Sequence, residues 1–120
     1  MKDTLEILIV DDDAVHRRAV RLNMAGWGYS VTEADDGEEA VRQARLRSFD
    51  LILMDIRMTR MSGLEALEQI KKIQPAVPVI IMTAYASVET AVSAMKMGAD
   101  DYLTKPLNYD ELQIKIARTA

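Results

Sequence analysis

Short apolar runs alternate with longer amphipathic stretches along the whole chain. The runs comprise residues 7–10, 29–32, 51–54, 77–82 and 101–104. Such short apolar runs are typical of strands buried on both faces of a parallel sheet. The stretches between them carry apolar residues at spacings of three and four, which indicates helices. Five strands alternating with five helices predict a doubly wound α/β fold made of right-handed βαβ units.

The first helix has the clearest helical periodicity. Val15, Ala19 and Leu22 repeat at spacings of four and three and predict a helix over residues 14–25 with these side chains on its apolar face. His16 lies off that face and is therefore expected at the surface. The other helices are predicted to begin at or just after Asp36, Gly63, Ser87, and Asn108 or Asp110.

Composition narrows the class of protein. The length of 120 residues predicts one domain over residues 1–120, with no effector domain. The absence of cysteine excludes disulfides and thiolate metal sites. No secretory signal or apolar stretch of membrane-spanning length is present, so we expect a cytoplasmic protein that does not enter a membrane. A net charge of −4 argues against direct nucleic-acid binding by this domain.

Candidate site residues follow four of the five predicted strands. In open α/β sheets, ligands bind outside the carboxyl ends of the strands. Residues 11–13 are three consecutive aspartates, and the first helix follows them directly, so Asp13 is expected to cap that helix. One composite site is predicted from the residues at these strand ends, which are Asp11, Asp12, Asp55, Thr83 and Lys105.

The chemistry predicted for this site is phosphoryl transfer assisted by Mg²⁺. Carboxylates and backbone carbonyls bind hard cations, and Asp12 and Asp55 are the expected direct ligands, with Asp11 acting through water. Phosphoryl transfer needs a nucleophile, neutralisation of charge and positioning. Asp55 would be the nucleophile and form an acyl phosphate. Lys105 would neutralise the phosphoryl oxygens, and Thr83 would donate a hydrogen bond to one of them.

Four motifs together resemble the response-regulator receiver domains of two-component signalling. They are the sequences Ile7-Leu8-Ile9-Val10-Asp11-Asp12-Asp13, Leu53-Met54-Asp55-Ile56-Arg57-Met58, Met82-Thr83-Ala84 and Tyr102-Leu103-Thr104-Lys105-Pro106. Each is weak alone, but their order and spacing match the family over residues 5–118. The resemblance implies a flavodoxin-like fold with five parallel strands in the order 2-1-3-4-5.

The resemblance also implies roles for individual residues. It implies that Asp55 is phosphorylated from a phosphohistidine of a histidine kinase or phosphotransfer protein. It implies Mg²⁺ on Asp11, Asp12 and the Arg57 carbonyl. A cis peptide bond before Pro106 and a switch role for Tyr102 are implied as well. The family further leads us to expect a homodimer through the fourth helix, fifth strand and fifth helix.

The stretch from residue 82 to residue 92 resembles receivers of nitrogen-regulation-type transcription activators more closely. That likeness implies a regulated output, namely transcription.

Two departures from the family pattern stand out. Thr59 and Arg60 occupy the loop where proline and glycine or an acid are usual, and Leu107 stands where phenylalanine is common. The first could loosen the loop after Asp55, and the second could alter the docking of the fifth helix.

Two other functions fit part of the same pattern. Residues 7–15 satisfy the loose first motif of haloacid-dehalogenase-like phosphatases, in which Asp11 would be the nucleophile and Asp13 the acid/base. That interpretation leaves Asp55 without a role. The other is a receiver-shaped interaction module that is never phosphorylated. The complete set of site residues argues against it.

Overall fold

Strands and helices alternate along the chain, as the apolar pattern predicts. The computed structural model describes residues 4–58, 60–84 and 88–120. Within that part the elements are β1 Glu6–Val10, α1 Ala14–Gly26, β2 Ser30–Ala34, α2 Gly37–Leu46, β3 Leu51–Asp55, α3 Gly63–Ile73, β4 Val79–Thr83, α4 Val88–Lys96, β5 Asp101–Thr104 and α5 Tyr109–Thr119. No helix in the described residues is both long enough and apolar enough to cross a membrane.

All neighbouring strands of the sheet are parallel, and their order is β2-β1-β3-β4-β5. The predicted fold class is therefore confirmed. The register aligns the carboxyl ends of the strands, because Val10 is level with Met54 and Thr83 with Thr104. The residues that follow β1, β3, β4 and β5 consequently meet at one edge of the sheet.

Each face of the sheet packs against its own helices. On one face, buried residues of β1, β3 and β4 contact α2, α3 and α4. On the other face, alternate residues of the same strands contact α1 and α5, with Leu112 and Ile116 fully buried as α5's core residues. Leu107, one of the two departures from the family pattern, packs partly buried against this second cluster. It therefore helps to hold the start of α5.

The predicted apolar face of α1 is wrong. Val15 is 82% exposed and Leu22 is 58% exposed. The helix packs on the sheet through Val20 and Met24, which are also four residues apart and are completely buried. Both stripes have helical spacing, so the sequence pattern could not distinguish them. The stripe that packs on the sheet extends back by four residues to His16.

Short polar side chains cap the helices where the caps lie in the described residues. Asp13, Asp36, Ser62 and Asn108 accept backbone N–H bonds at the starts of α1, α2, α3 and α5. Asn108 is thus the cap of α5, and Gly63 is the first residue of α3. The predicted cap of α4, Ser87, lies outside the described residues, as do Thr59 and Tyr85. In α4, Ala94 is buried.

Candidate functional site

Lys105 connects two buried carboxylates at the carboxyl edge of the sheet. Its Nζ donates to Asp55 Oδ2 at 2.7 Å and to Asp11 Oδ2 at 3.0 Å. Asp11 is fully buried and Asp55 is 6% exposed. Buried charges are stable only when they are paired and hydrogen-bonded. Here the Lys105 ammonium forms a hydrogen-bonded ion pair with each of the two carboxylates. The structure therefore brings together residues at the carboxyl ends of β1, β3 and β5, which the sequence predicted to form one site.

Asp12 completes an acidic cluster with these two carboxylates. Asp11, Asp12 and Asp55 each offer one ligand atom, and these atoms lie within 4.8 Å of one another. Lys105 bonds to two of these three carboxylates, so the cluster carries surplus negative charge that a bound cation would balance. All the donors are oxygens, and Asp12 is exposed to solvent. This donor set fits Mg²⁺, which prefers one or two carboxylates and retains some of its waters.

Burial and hydrogen bonding act in opposite directions on the pKa values of the site. Burial alone would raise the pKa of Asp11, but hydrogen bonds from His16, the Asp13 backbone and Lys105 lower it to about 2. At Asp55, burial dominates and raises the pKa despite the bond from Lys105. The pKa of Lys105 is raised, because the two carboxylates outweigh its desolvation. The surroundings therefore favour the charged form of Asp11 and disfavour the charged form of Asp55.

The remaining predicted residues surround this centre. The Arg57 backbone N–H donates to Asp55 Oδ1 at 3.2 Å. Thr83 is buried at the end of β4, and its carbonyl accepts the Lys105 N–H at 2.9 Å. The Lys105–Pro106 bond is cis. Tyr102 is 38% exposed on β5, where it pairs with Ile81, two residues before the end of β4 at Thr83.

His16 belongs to the site, which corrects its predicted position at the surface. Its Nδ1 lies 2.6 Å from Asp11 Oδ2, and only 21% of its side chain is exposed. The prediction failed because it rested on the wrong face of α1. The spacing of His16, Val20 and Met24 at four-residue intervals was the signal that could have placed this side chain towards the sheet.

Arg60 ties the loop after Asp55 to the start of α2. Its Nε donates to Asp36 Oδ2 at 2.6 Å, while Asp36 Oδ1 accepts the Glu39 N–H at 2.9 Å. The hydrogen bond from the Glu39 backbone, followed by that from Arg60, lowers the pKa of Asp36. Arg60, one of the residues that depart from the family pattern, thus forms an ion pair with a helix cap. The two members of this pair are 24 residues apart, so no sequence motif indicated it.

We expect Asp36→Ala to lower the free energy of unfolding by about 1–2 kcal/mol at neutral pH, because it removes the cap of α2. Asp36→Ser keeps a capping oxygen but loses the Arg60 pair, and should be less destabilising. Since the folded state lowers the pKa of Asp36, its contribution is present above the unfolded pKa of about 3.9 and disappears as the pH falls through the folded value. Urea unfolding at neutral and acidic pH measures both effects. An Asp36→Ala penalty that is unchanged at low pH would contradict the assignment.

Comparisons with known proteins agree with this geometry. A family described as "Response regulator receiver domain" matches residues 7–117. The transcriptional regulatory protein ZraR of Escherichia coli O157:H7 is 51% identical over 97% of this chain, a match that covers 26% of ZraR. The chain therefore spans about a quarter of the length of the curated relatives it matches.

Solved structures show the same fold. A CheY-like receiver domain protein from Methanospirillum hungatei superposes with a TM-score of 0.93 at 35% identity, covering 97% of this chain and 93% of the other. The receiver domain of the sensor histidine kinase PA1611 from Pseudomonas aeruginosa gives a TM-score of 0.90 at 35% identity, with 97% of each chain covered. That structure is described as having a magnesium ion coordinated in the active-site cleft.

Proposed function

Because this chain belongs to the response regulator receiver domain family, we propose that Asp55 accepts a phosphoryl group from the phosphohistidine of a histidine kinase or phosphotransfer protein. The observation that carries the proposal is the placement of the Asp55 carboxylate. It lies at a strand end, 2.7 Å from the Lys105 ammonium and within an acidic cluster that fits a divalent cation. Receiver domains interact with histidine kinases in two-component systems, which supports a histidine kinase as the partner of this chain.

The transfer requires one bond to form and one to break. An Asp55 carboxylate oxygen forms the new O–P bond while the donor's P–N bond breaks, and the imidazole nitrogen of the donor keeps that electron pair and takes up a proton. Lys105 is close enough to move from the Asp55 carboxylate to a phosphoryl oxygen. The Thr83 hydroxyl, at the adjacent strand end, would donate to a second one.

Asp11, Asp12, Asp55 and the Arg57 carbonyl would hold Mg²⁺. The bound cation supplies positive charge against the phosphoryl oxygens. Three carboxylates would otherwise repel an incoming phosphoryl group, so a phosphoryl donor should react poorly without the cation. The Arg57 N–H on Asp55 Oδ1 orients the acceptor.

The proposal is tested by incubating the chain with Mg²⁺ and a small phosphodonor such as acetyl phosphate, then mapping acyl phosphate by mass spectrometry. Label on Asp55 supports the receiver function. Label on Asp11 would instead favour the phosphatase alternative, and absence of label would favour an unphosphorylated module. The structure disfavours the phosphatase, since Asp13, its acid/base, accepts the Val15 and His16 N–H bonds as a helix cap.

We also propose that phosphorylation changes the surface formed by α4, β5 and α5, and that this surface forms a homodimer. Val92, Met95 and Tyr102 are 45%, 44% and 38% exposed. Together with Ala91 and Lys96 they line a surface depression of about 540 Å³. The Lys115 ammonium lies 5.9 Å from the centre of the Tyr102 ring. A phosphoryl group on Asp55 would draw Thr83 towards it and allow Tyr102 to move inward. The population of conformations of the α4-β5-α5 surface would shift as a result.

Thr83→Ala separates phosphorylation from the response to it. We expect this variant to carry acyl phosphate on Asp55 yet remain monomeric in sedimentation with beryllofluoride, a phosphoryl analogue. Thr83→Ser keeps the hydroxyl and should dimerise like the wild type. If Thr83→Ala dimerises as readily as Thr83→Ser, the hydroxyl does not transmit the signal. The output would be transcription, since the similar protein ZraR is a transcriptional regulatory protein.

A further inference from the structure

Asp11 accepts three hydrogen bonds from described residues. The Asp13 N–H donates to Oδ1 at 2.9 Å, Lys105 Nζ donates to Oδ2 at 3.0 Å, and His16 Nδ1 lies 2.6 Å from the same Oδ2. An ionised carboxylate offers about four lone-pair sites, two on each oxygen. Oδ2 is therefore fully used in this structure, and Oδ1 has one site left.

Three hydrogen bonds link Asp11, Asp13 and His16 at the start of α1. Asp13 donates its N–H to Asp11 and accepts the His16 N–H on Oδ1 at 3.2 Å. The His16 ring is in turn hydrogen-bonded to Asp11. The ring also lies on the stripe of α1 that packs on the sheet, since Val20 and Met24 follow it at intervals of four. Backbone and packing together fix the direction of the imidazole.

Lys105 and His16, the two donors to Asp11 Oδ2, would respond differently to phosphorylation of Asp55. Lys105 also bonds to Asp55, and a phosphoryl group there would draw its ammonium away from Asp11. In the part of the chain that the structure describes, the His16 ring contacts no second carboxylate, and α1 holds it in place. The lone pair that Lys105 leaves would become available on Oδ2, while the His16 bond would keep the carboxylate from rotating.

We propose that His16 is a positioning residue that orients Asp11 through an Nδ1–H hydrogen bond, so that Asp11 presents a fixed oxygen to Mg²⁺ or to one of its waters. This inference rests on the proposed function of the site. Partners that orient metal ligands typically change metal affinity by 10–100-fold when they are removed. The lowered pKa of Asp11 is consistent with a carboxylate that is held charged by its donors.

The test compares His16→Leu with His16→Asn, two side chains of nearly the same shape. The asparagine Nδ2 stands close to the position of the imidazole Nδ1 and can donate to Asp11, whereas leucine cannot. We expect the dissociation constant for Mg²⁺, measured by calorimetry, to rise about 10-fold in His16→Leu and to stay close to the wild-type value in His16→Asn. His16→Phe, which keeps a ring without the donor, should resemble His16→Leu and replaces it if that variant does not fold.

A purely structural role predicts a different result. The free energy of unfolding in EDTA would fall in the donorless variants, while the Mg²⁺ affinity of the folded protein would not change. Equal affinities in the wild type, His16→Leu and His16→Phe would overturn the inference. Wild-type protein that neither binds Mg²⁺ nor acquires label on Asp55 would instead remove the proposed function. If the wild type binds Mg²⁺ and acquires label on Asp55, and the His16 variants bind Mg²⁺ with the wild-type affinity, only the proposed role of His16 would be ruled out.

Discussion

Asp55→Asn is expected to eliminate acyl phosphate formation from both a small phosphodonor and a phosphohistidine. The amide removes the proposed nucleophilic oxygen anion and one of the three carboxylates that would hold the cation, while it nearly preserves the shape of the side chain. Lys105 keeps a partner, since Asp11 Oδ2 lies 3.0 Å from its Nζ. Loss of label in this variant would therefore report the chemistry of Asp55 and not a collapse of the site.

The same substitution should raise the stability of the Mg²⁺-free protein. Burial raises the pKa of Asp55 in the folded state. A carboxyl whose folded pKa lies above its unfolded pKa contributes stability only while it is protonated, and that contribution is lost as the pH rises through the folded value. At neutral pH the charged form thus costs folding free energy, and a neutral amide avoids this cost.

Added Mg²⁺ should reverse the order of stability. A cation that binds only the folded state adds about 2.7 kcal/mol at a concentration 100 times its dissociation constant. Wild type should gain this stabilisation, and Asp55→Asn, with one fewer carboxylate, should gain less. Urea unfolding with EDTA and with saturating Mg²⁺ measures the reversal. Asp35→Asn, which changes an exposed aspartate, is the matched control and should label and respond to Mg²⁺ as wild type does.

Two results would contradict this assignment. Acyl phosphate on Asp55→Asn at the wild-type level would mean that another residue is the acceptor. A variant that is less stable than wild type in EDTA would mean that the Asp55–Lys105 bond outweighs the desolvation of the carboxylate. The first outcome concerns the function and the second concerns only the electrostatics, so the two conclusions can fail independently.

The carboxyl ends of β1, β3, β4 and β5 could be predicted to within one residue because the predicted runs end there, whereas β2 continues to Ala34, two residues past its predicted end. Asp55 follows four buried apolar residues, and the register of a parallel sheet then determines its neighbours. The start of β4 was predicted two residues early, at Val77, for a local reason. Val77 donates its N–H to the Gln74 carbonyl in a turn, and Pro78 has no N–H to contribute to a ladder.

Features that depend on which helix face turns inward could not be predicted in the same way. Two apolar stripes compete on α1, and only packing against the sheet selects Val20 and Met24 over Val15 and Leu22. The position of His16 follows from that selection. The Arg60–Asp36 pair depends on the path of a loop and on the angle between α2 and β3, neither of which leaves a periodic signal.

Gly63→Ala is expected to be the most destabilising single substitution near the site. A Cβ built on Gly63 would overlap the Asp55 carbonyl oxygen and lie 2.7 Å from Ile56 Cα. Both contacts are with backbone, so no flexible side chain can move aside. The Gly63 N–H also donates to the Ile56 carbonyl at 2.8 Å, which holds α3 tightly against the residue after Asp55.

Overpacking of a buried site typically costs about 1–3 kcal/mol, and backbone contacts this short place Gly63→Ala at or above about 3 kcal/mol. Gly26→Ala is the matched control. A Cβ on Gly26 would meet nothing within 4 Å, so we expect unchanged or greater stability, by up to about 1 kcal/mol, from the reduced freedom of the unfolded chain. Urea unfolding of both variants measures the difference. Equal stability would show that α3 can move away from β3 without penalty. Folded Gly63→Ala protein should also label slowly, because any shift that admits the methyl group displaces the backbone of Asp55 itself.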